Sequence, residues 1–355
     1  MIVRFVRGTP EARVQELFER VSRAGLRVMR SPDDERAILA IVGKVAKDLE
    51  AELERSNAVE EIVRPRGEWL LVQRAFRERP STVTVGRGAH AVRIGAGEVV
   101  VIAGPCSVEG REAVLEVARA VRAAGAHILR GGAFKPRTSP YAFQGFGVEG
   151  LRQLKDAGDA VGLPVISEIM DASDLPAFVE HGIDCLQVGA RNMQNFTLLK
   201  AIAACGIPVL LKRGLAATVD EWLAAAEYLA AGGARDIVLC ERGIRTFERA
   251  TRNTLDLTVL PLMREWTHLP ILVDPAHAAG IARIIPPLSR ASIAAGADGV
   301  AVEVHLDPRI ARSDAEQALL PGELAGLVAD ARIMAAVTGS RMHAAPAAER
   351  ASARG

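Results

Sequence analysis

The sequence carries no surplus of charge, with 44 basic residues against 43 acidic ones. No overall field draws it to nucleic acid or to an anionic membrane, so any recognition of anions must be local. It also lacks an uncharged run approaching the ~20 residues that span a bilayer, and its mean hydropathy of +0.16 reflects alanine, not a long apolar segment. The opening "MIVRFVRGTP" has neither an extended apolar stretch nor a small-residue cleavage site. Export is therefore not expected, and a cytoplasmic location is. Cysteine is scarce: Cys106, Cys185, Cys205 and Cys240 show no CxxC or HxxxH spacing. That argues against a disulfide framework or a zinc knuckle and leaves reduced thiols.

What is present divides in two. Residues 1–70 read as a small α+β module. "IVRFV" is a strand, and "TPEARVQELFERVSRAG" is an amphipathic helix capped by Thr9 and ended by Gly25. "LRVMR" and "RAILAIVG" form a hairpin around "SPDD", "VAKDLEAELERSN" is a second helix and "VEEIVRP" a last strand. The βαββαβ order is that of a ferredoxin-like domain. Residues 71–97 read as a linker and a hairpin, "TVTVGRGAHAVRIGAGE", that caps the next domain.

From residue 98 to 337 the texture changes to short apolar runs separated by Ala-rich helices. Eight runs are read as strands: "EVVVIAGPCS", "AHILRGGAF", "LPVISEIM", "DCLQVGA", "IPVLLKRG", "DIVLCERG", "LPILVDPAH" and "GVAVEVHL". Continuously apolar strands, each followed by a helix, specify parallel pairing with both faces covered. The closed solution is an α/β fold, a (β/α)8 TIM barrel of roughly 240 residues. An open doubly wound sheet should show a GxGxxG loop after its first strand, and "GPCSVEG" is not one. Residues 338–355 hold few core formers and are expected to be a disordered tail.

In such a barrel chemistry sits in the loops after the strands. Those ends carry Cys106, the segment Arg130 to Ser139, Glu168, Arg191, Lys212, Arg213, Glu241, Arg242, Asp274, His277, Glu303 and His305. The opposite loops read mostly "GA", "GLP", "GIP" or "HLP", and this contrast marks an active site. Arg130, Lys135, Arg137, Arg191, Lys212 and Arg242 share one mouth and would repel one another without anions. Guanidinium forks match phosphate and carboxylate, and lysines act as point charges. Six cations exceed what one monophosphate needs, so two anionic substrates, or one bearing a phosphate and a carboxylate, are implied. Thr138 and Ser139 add hydroxyl donors. Cys106, His277, Glu303 and an acid in "LDPRIARSDAEQALL" form a second set able to hold a divalent ion. His305 and Asp307 compete for a place in it.

The combination of "GPCSVE", "RGGAFKPRTSPYAFQG", "SEIMD", "QVGARNMQNF", "LKRG", "CERGIRTFE", "DPAHA", "VEVH" and "SDAEQ" resembles the 3-deoxy-D-arabino-heptulosonate 7-phosphate synthases of the type I β subclass, over about residues 1–337. The resemblance implies condensation of phosphoenolpyruvate with erythrose 4-phosphate at the entry to the shikimate pathway. It implies Mn2+, Fe2+, Co2+ or Zn2+ on Cys106, His277, Glu303 and Asp314, choosing Asp314 over Asp307. Phosphoenolpyruvate would lie on Arg130, Lys135, Arg191, Lys212 and Arg242, and the sugar phosphate on Arg137, Thr138 and Ser139. Lys135 would donate a proton and Glu168 would position water. The N-terminal domain would mediate inhibition by tyrosine or phenylalanine across an interface of a homotetramer. The sister enzymes that use arabinose 5-phosphate typically read like KANRS where this chain has "KPRTS".

Overall fold

The first strand carries Ile2 on one face and Val3 and Phe5 on the other, and the fold buries all three. In the computed structural model, which describes residues 1–32, 36–137 and 139–344, β1 (Ile2–Phe5) lies in an antiparallel sheet with β2 (Arg27–Arg30), β3 (Ile38–Val42) and β4 (Val59–Val63) in the order β2-β3-β1-β4. Val3, Phe5, Leu39 and Ile41 pack under α1 (Glu11–Arg23) and α2 (Lys47–Arg55), which contribute Val14, Leu17, Val21, Leu49 and Leu53. The opposite face, Ile2, Ile38 and Ala40, packs on Leu70, Leu71 and Phe76 of the linker. Helix α1 begins after Pro10, and the Thr9 hydroxyl donates to the Val6 carbonyl instead of capping the helix. The turn expected at "SPDD" falls partly outside the described residues.

A short antiparallel hairpin, β5 (Val83–Val85) with β6 (Val92–Ile94), leads into the second domain. There the eight runs read as strands pair in parallel, in chain order. They are β7 (Glu98–Gly104), β8 (Ile128–Arg130), β9 (Val165–Ile169), β10 (Cys185–Val188), β11 (Val209–Lys212), β12 (Ile237–Glu241), β13 (Ile271–Val273) and β14 (Gly299–Glu303). β14 closes on β7, with Val300 opposite Val101. Alternation sorts the side chains. Val100, Ile102, Ile128, Ile166, Leu210, Val238 and Leu272 fill the interior, while Val101, Leu129, Val165 and Leu186 face the helices. The hairpin adds Val83, Val85, Val92 and Ile94 to the interior cluster, so it plugs one end of the barrel. Chemistry is left to the other end.

The helices are α3 (Arg111–Ala123), α4 (Gly147–Val161), α5 (Leu175–Glu180), α6 (Phe196–Ala203), α7 (Val219–Ala231), α8 (Val259–Trp266), α9 (Pro275–Ala279), α10 (Ile285–Ala294) and α11 (Pro321–Val337). Helix α7 starts at a capping box, Thr218 with Glu221. It also anchors the linker: Trp69 Nε1 donates to Asp220 at 3.1 Å, and the Leu71 and Val72 N–H groups donate to the Glu227 carboxylate at 2.8 and 3.1 Å.

The segment expected to be a disordered tail departs from that expectation over its first residues. Arg341–Met342 forms β15 and pairs in parallel with Glu98 and Val99 of β7. The stagger of the barrel pairs β14 with β7 only from Val100 onward, which leaves those two backbone positions for β15. Glu98 then accepts from Arg93, Arg341 and His343, each at 2.6 Å. Residues 345–355 lie outside the described residues.

Candidate active site

Short parallel strands end abruptly, and β8, β11, β12 and β14 each end on a charged residue, Arg130, Lys212, Glu241 and Glu303. β8 ends on Arg130 and β14 on Glu303, and Arg130 Nη1 meets Glu303 Oε1 at 2.7 Å. Beyond β7, Cys106 follows Gly104 and Pro105. Beyond β13, Asp274 accepts the His277 N–H at 2.9 Å and so starts α9, which fixes where the imidazole points. Residues far apart in sequence thereby meet around a few ångströms of buried space.

Cys106, Glu303 and Asp314 each offer a ligand atom, all within 4.8 Å of one another. Cys106 Sγ lies 3.0 Å from Asp314 Oδ2, and His277 Nε2 lies 3.5 Å from Glu303 Oε1. Asp314 takes this position from a left-handed backbone, φ +48°, unusual for a residue with a Cβ. Asp307, the competitor in sequence, pairs with Arg309, and His305 faces Glu109. A thiol, an imidazole and two carboxylates suit a borderline divalent ion such as Mn2+, Fe2+, Co2+ or Zn2+. Electrostatics agree with that fit. Burial, with Glu303 beside it, pushes the Cys106 thiol up to about 12, so it needs a bound cation to ionise near neutral pH. Burial also lowers the His277 pKa, against the pull of Asp274 and Glu303, which keeps the imidazole neutral as a ligand must be. Glu303 is depressed to about 2 despite the opposing effect of burial, because His277, protonated at such acid pH, and Arg130 face it.

The cations differ in what holds them. Lys135 Nζ lies 2.9 Å from both the sulfur and the carbonyl oxygen of Cys106. Burial works against its charge, but Cys106, Glu303 and Glu168 outweigh burial and hold its pKa above the ordinary lysine value. Gly132 allows this approach: a Cβ there would stand 2.7 Å from the Cys106 carbonyl oxygen and 2.9 Å from Lys135 Cδ. Lys212 Nζ meets Asp274 Oδ2 at 2.5 Å, the oxygen that also faces His277 Nδ1 at 2.8 Å. Arg242 is buried, its Nη1 has no hydrogen-bond partner among the described residues, and burial lowers its pKa, a cost that a neighbouring anion would offset. Arg137 is half-buried and without an ion pair among the described residues, whereas Arg191 and Ser139 are exposed on their loops. Thr138 lies outside the described residues. Glu168 accepts from Gln187 at 3.1 Å and packs against Gly189, where a Cβ would fall 2.0 Å from its Oε1.

Three groups at this mouth received no role from sequence. Asp274 orients His277 and Lys212 at once, Gln317 donates to Glu303 at 2.6 Å, and Arg252 donates to Asp314 at 3.1 Å. The "DPAH" and "SDAEQ" motifs contain the first two, but only the folded arrangement shows what they touch. Arg213, read at the end of the fifth strand, is held by Glu241 and Asp256 at 3.0 and 2.9 Å and is occupied structurally.

Residues 60–339 match the DAHP synthetase I family, and residues 1–64 match the DAHP synthase ferredoxin-like domain. The chain is 45% identical over 319 residues to a phospho-2-dehydro-3-deoxyheptonate aldolase of Thermotoga maritima, covering 90% of this chain and 93% of the relative. It is 32% identical to a 2-dehydro-3-deoxyphosphooctonate aldolase of Koribacter versatilis, covering 70% of this chain and 95% of that one. A crystal structure of the Thermotoga maritima aldolase superposes with a TM-score of 0.75 at 42% identity, covering 96% of this chain and 98% of the other.

Proposed function

Because the chain belongs to the DAHP synthetase I family, we propose that it condenses phosphoenolpyruvate with erythrose 4-phosphate and water to give 3-deoxy-D-arabino-heptulosonate 7-phosphate and phosphate. The observation that carries this reading is the buried Arg242, whose Nη1 has no hydrogen-bond partner among the described residues, in the same mouth as Lys135, Lys212 and the Cys106–His277–Glu303–Asp314 set. Arg130, Lys135, Arg191, Lys212 and Arg242 would hold the carboxylate and phosphate of phosphoenolpyruvate. Arg137, Thr138 and Ser139 would take the phosphate of the sugar. Their joint effect is orientation of two anions that repel in water.

Cys106, His277, Glu303 and Asp314 would hold a divalent ion, which when bound supplies Lewis-acid polarisation of the aldehyde. Lys135, protonated and beside the sulfur, gives its proton to the aldehyde oxygen as C3 of phosphoenolpyruvate forms the new carbon–carbon bond. Water, placed by Glu168, then adds at the C2 cation and returns one proton to Lys135; the bond from C2 to the phosphate oxygen breaks, C2 becomes a carbonyl, and the second proton leaves with the phosphate. The N-terminal domain would bind tyrosine or phenylalanine and inhibit, within a homotetramer.

The test is phosphate release from phosphoenolpyruvate by metal-stripped protein offered erythrose 4-phosphate or arabinose 5-phosphate, with and without Mn2+. Turnover restricted to erythrose 4-phosphate plus metal supports the reading. Preference for arabinose 5-phosphate would place the activity with the octonate aldolases, and no turnover with either sugar would leave a sensor of phosphorylated metabolites.

A further inference from the structure

In each of the two carboxylates of the candidate metal set, one oxygen is held by Gln317 or Arg252. Gln317 Nε2 donates to Glu303 Oε2 at 2.6 Å, and Arg252 Nη1 donates to Asp314 Oδ1 at 3.1 Å. The same Arg252 nitrogen donates to Gln317 Oε1 at 2.9 Å, so one chain of bonds runs Asp314–Arg252–Gln317–Glu303. The other oxygens are Glu303 Oε1, 3.5 Å from His277 Nε2 and also accepting from Arg130 Nη1 at 2.7 Å, and Asp314 Oδ2, 3.0 Å from Cys106 Sγ. The order of this chain is chemically forced. A guanidinium only donates, so it must face the amide oxygen of Gln317, which turns the amide nitrogen toward Glu303. An amide flipped the other way would set its oxygen against a carboxylate and its N–H against an arginine.

The parts come from three places. Glu303 ends β14, Gln317 lies in the single turn Ala315–Gln317 that follows left-handed Asp314, and Arg252 reaches across from the loop between β12 and α8. Gln317 is 1% exposed. Arg252 is more open and borders a cleft of about 600 Å³ whose lining includes Arg249, Gly280 and Asp314.

From this geometry we infer that Gln317 and Arg252 are positioning residues that hold Glu303 and Asp314 as one-oxygen ligands, with Oε1 and Oδ2 turned to the ion. The inference rests on the metal-binding reading given above and adds how the donor set is fixed. Groups that orient metal ligands through hydrogen bonds affect metal affinity by about 10–100-fold when removed.

The experiment uses the full chain, stripped of metal, and measures Mn2+ affinity by equilibrium dialysis and the absorption spectrum with Co2+. Gln317→Met, Arg252→Met, the double variant and Arg252→Lys are compared with the unmodified protein. We expect Gln317→Met and Arg252→Met each to weaken Mn2+ binding by about 10–100-fold. The double variant should lose much less than the product of the two, because both act through one chain of bonds. Arg252→Lys should recover part of the loss. The thiolate-to-cobalt band should persist while the d–d bands shift, since Cys106 still binds and the carboxylate geometry changes. If Gln317→Met fails to fold, the more exposed Arg252 variants carry the same test. Variants that bind Mn2+ within about twofold of the unmodified protein, well short of the loss expected for a ligand-orienting group, with unchanged Co2+ spectra, would overturn the inference alone. An unmodified protein that gives no thiolate-to-cobalt band would overturn the metal-binding reading and this inference with it.

Discussion

The ammonium of Lys135 stands 2.9 Å from the sulfur of Cys106 and the same distance from its carbonyl oxygen. This pins the proposed proton donor against a proposed metal ligand, so the proton and the polarising charge would reach the same substrate oxygen. General acid catalysis of this kind contributes about 10²–10⁴-fold. Lys135→Met should therefore lower kcat by at least about 10²-fold, read by steady-state kinetics at saturating substrates. A loss confined to the KM for phosphoenolpyruvate would assign Lys135 to binding only.

Cys106 is a neutral buried thiol unless a cation draws off its proton. Cys106→Ala should abolish the thiolate-to-cobalt absorption and turnover together, while the folded protein keeps its circular dichroism. Persistence of the band would move thiolate ligation elsewhere among the four cysteines.

Arg137 is half-buried in "KPRTS" and makes no ion pair among the described residues. Hydrogen bonds to charged groups contribute about 1.5–3 kcal/mol, so Arg137→Ala should raise the KM for erythrose 4-phosphate by roughly 10–100-fold and leave that for phosphoenolpyruvate nearly unchanged. Equal effects on both substrates would count against a sugar-phosphate subsite here.

Glu227 decides where the N-terminal domain can be removed. It accepts the N–H groups of Leu71 and Val72, while Trp69 is buried against α7. Deletion of residues 1–64 spares these contacts and should keep turnover while abolishing inhibition by tyrosine or phenylalanine. Glu227→Ala in the full chain leaves buried backbone donors unpaired, at a cost of about 1–3 kcal/mol. Thermal denaturation should show its melting temperature below that of the parent. Inhibition surviving the deletion would remove the regulatory assignment.

Acid sensitivity should be written in the β7–β15 junction. His127 Nδ1 accepts from Val101 N–H and its Nε2 faces the His343 carbonyl oxygen, and burial holds its pKa down to about 4. The unfolded chain, with histidine near ~6.5, takes up that proton first, so stability falls as pH drops through ~6.5 toward about 4. Glu98 continues the loss at lower pH. Burial raises its pKa, but His343, Arg341 and Arg93 hold it to about 2, so its contribution is present above 4.5 and disappears toward 2. Urea denaturation of His127→Gln across the acid-to-neutral range should show a flatter pH dependence than the parent. A parallel curve would refute the assignment to His127.

Much of this architecture was legible because it depends on local pattern. Eight apolar runs such as "EVVVIAG" and "GVAVE", each followed by an amphipathic helix, leave a parallel closed sheet as the arrangement that covers both faces of every strand. The same pattern placed Cys106, Arg130, His277 and Glu303 at one mouth, since a strand end is also a position in the barrel. Residue 341 and its neighbour escape the same logic. Composition reports core formers, whereas β15 is held by backbone positions that barrel stagger leaves open at Glu98 and Val99.

Sequence by itself determined the fold class, the polarity of the barrel and the residue types gathered at its mouth, because periodicity and strand order are local properties of the chain. Only the tertiary structure decided which oxygen of Glu303 is held by Gln317 and which of Asp314 by Arg252, that Asp274 serves both His277 and Lys212, and that Arg242 Nη1 has no hydrogen-bond partner among the described residues while Arg213 is paired. Those are distances between groups far apart in the chain, 173 residues for Arg130 and Glu303. Hydrogen bonds fall off within fractions of an ångström, and no spacing along a chain fixes a separation that fine.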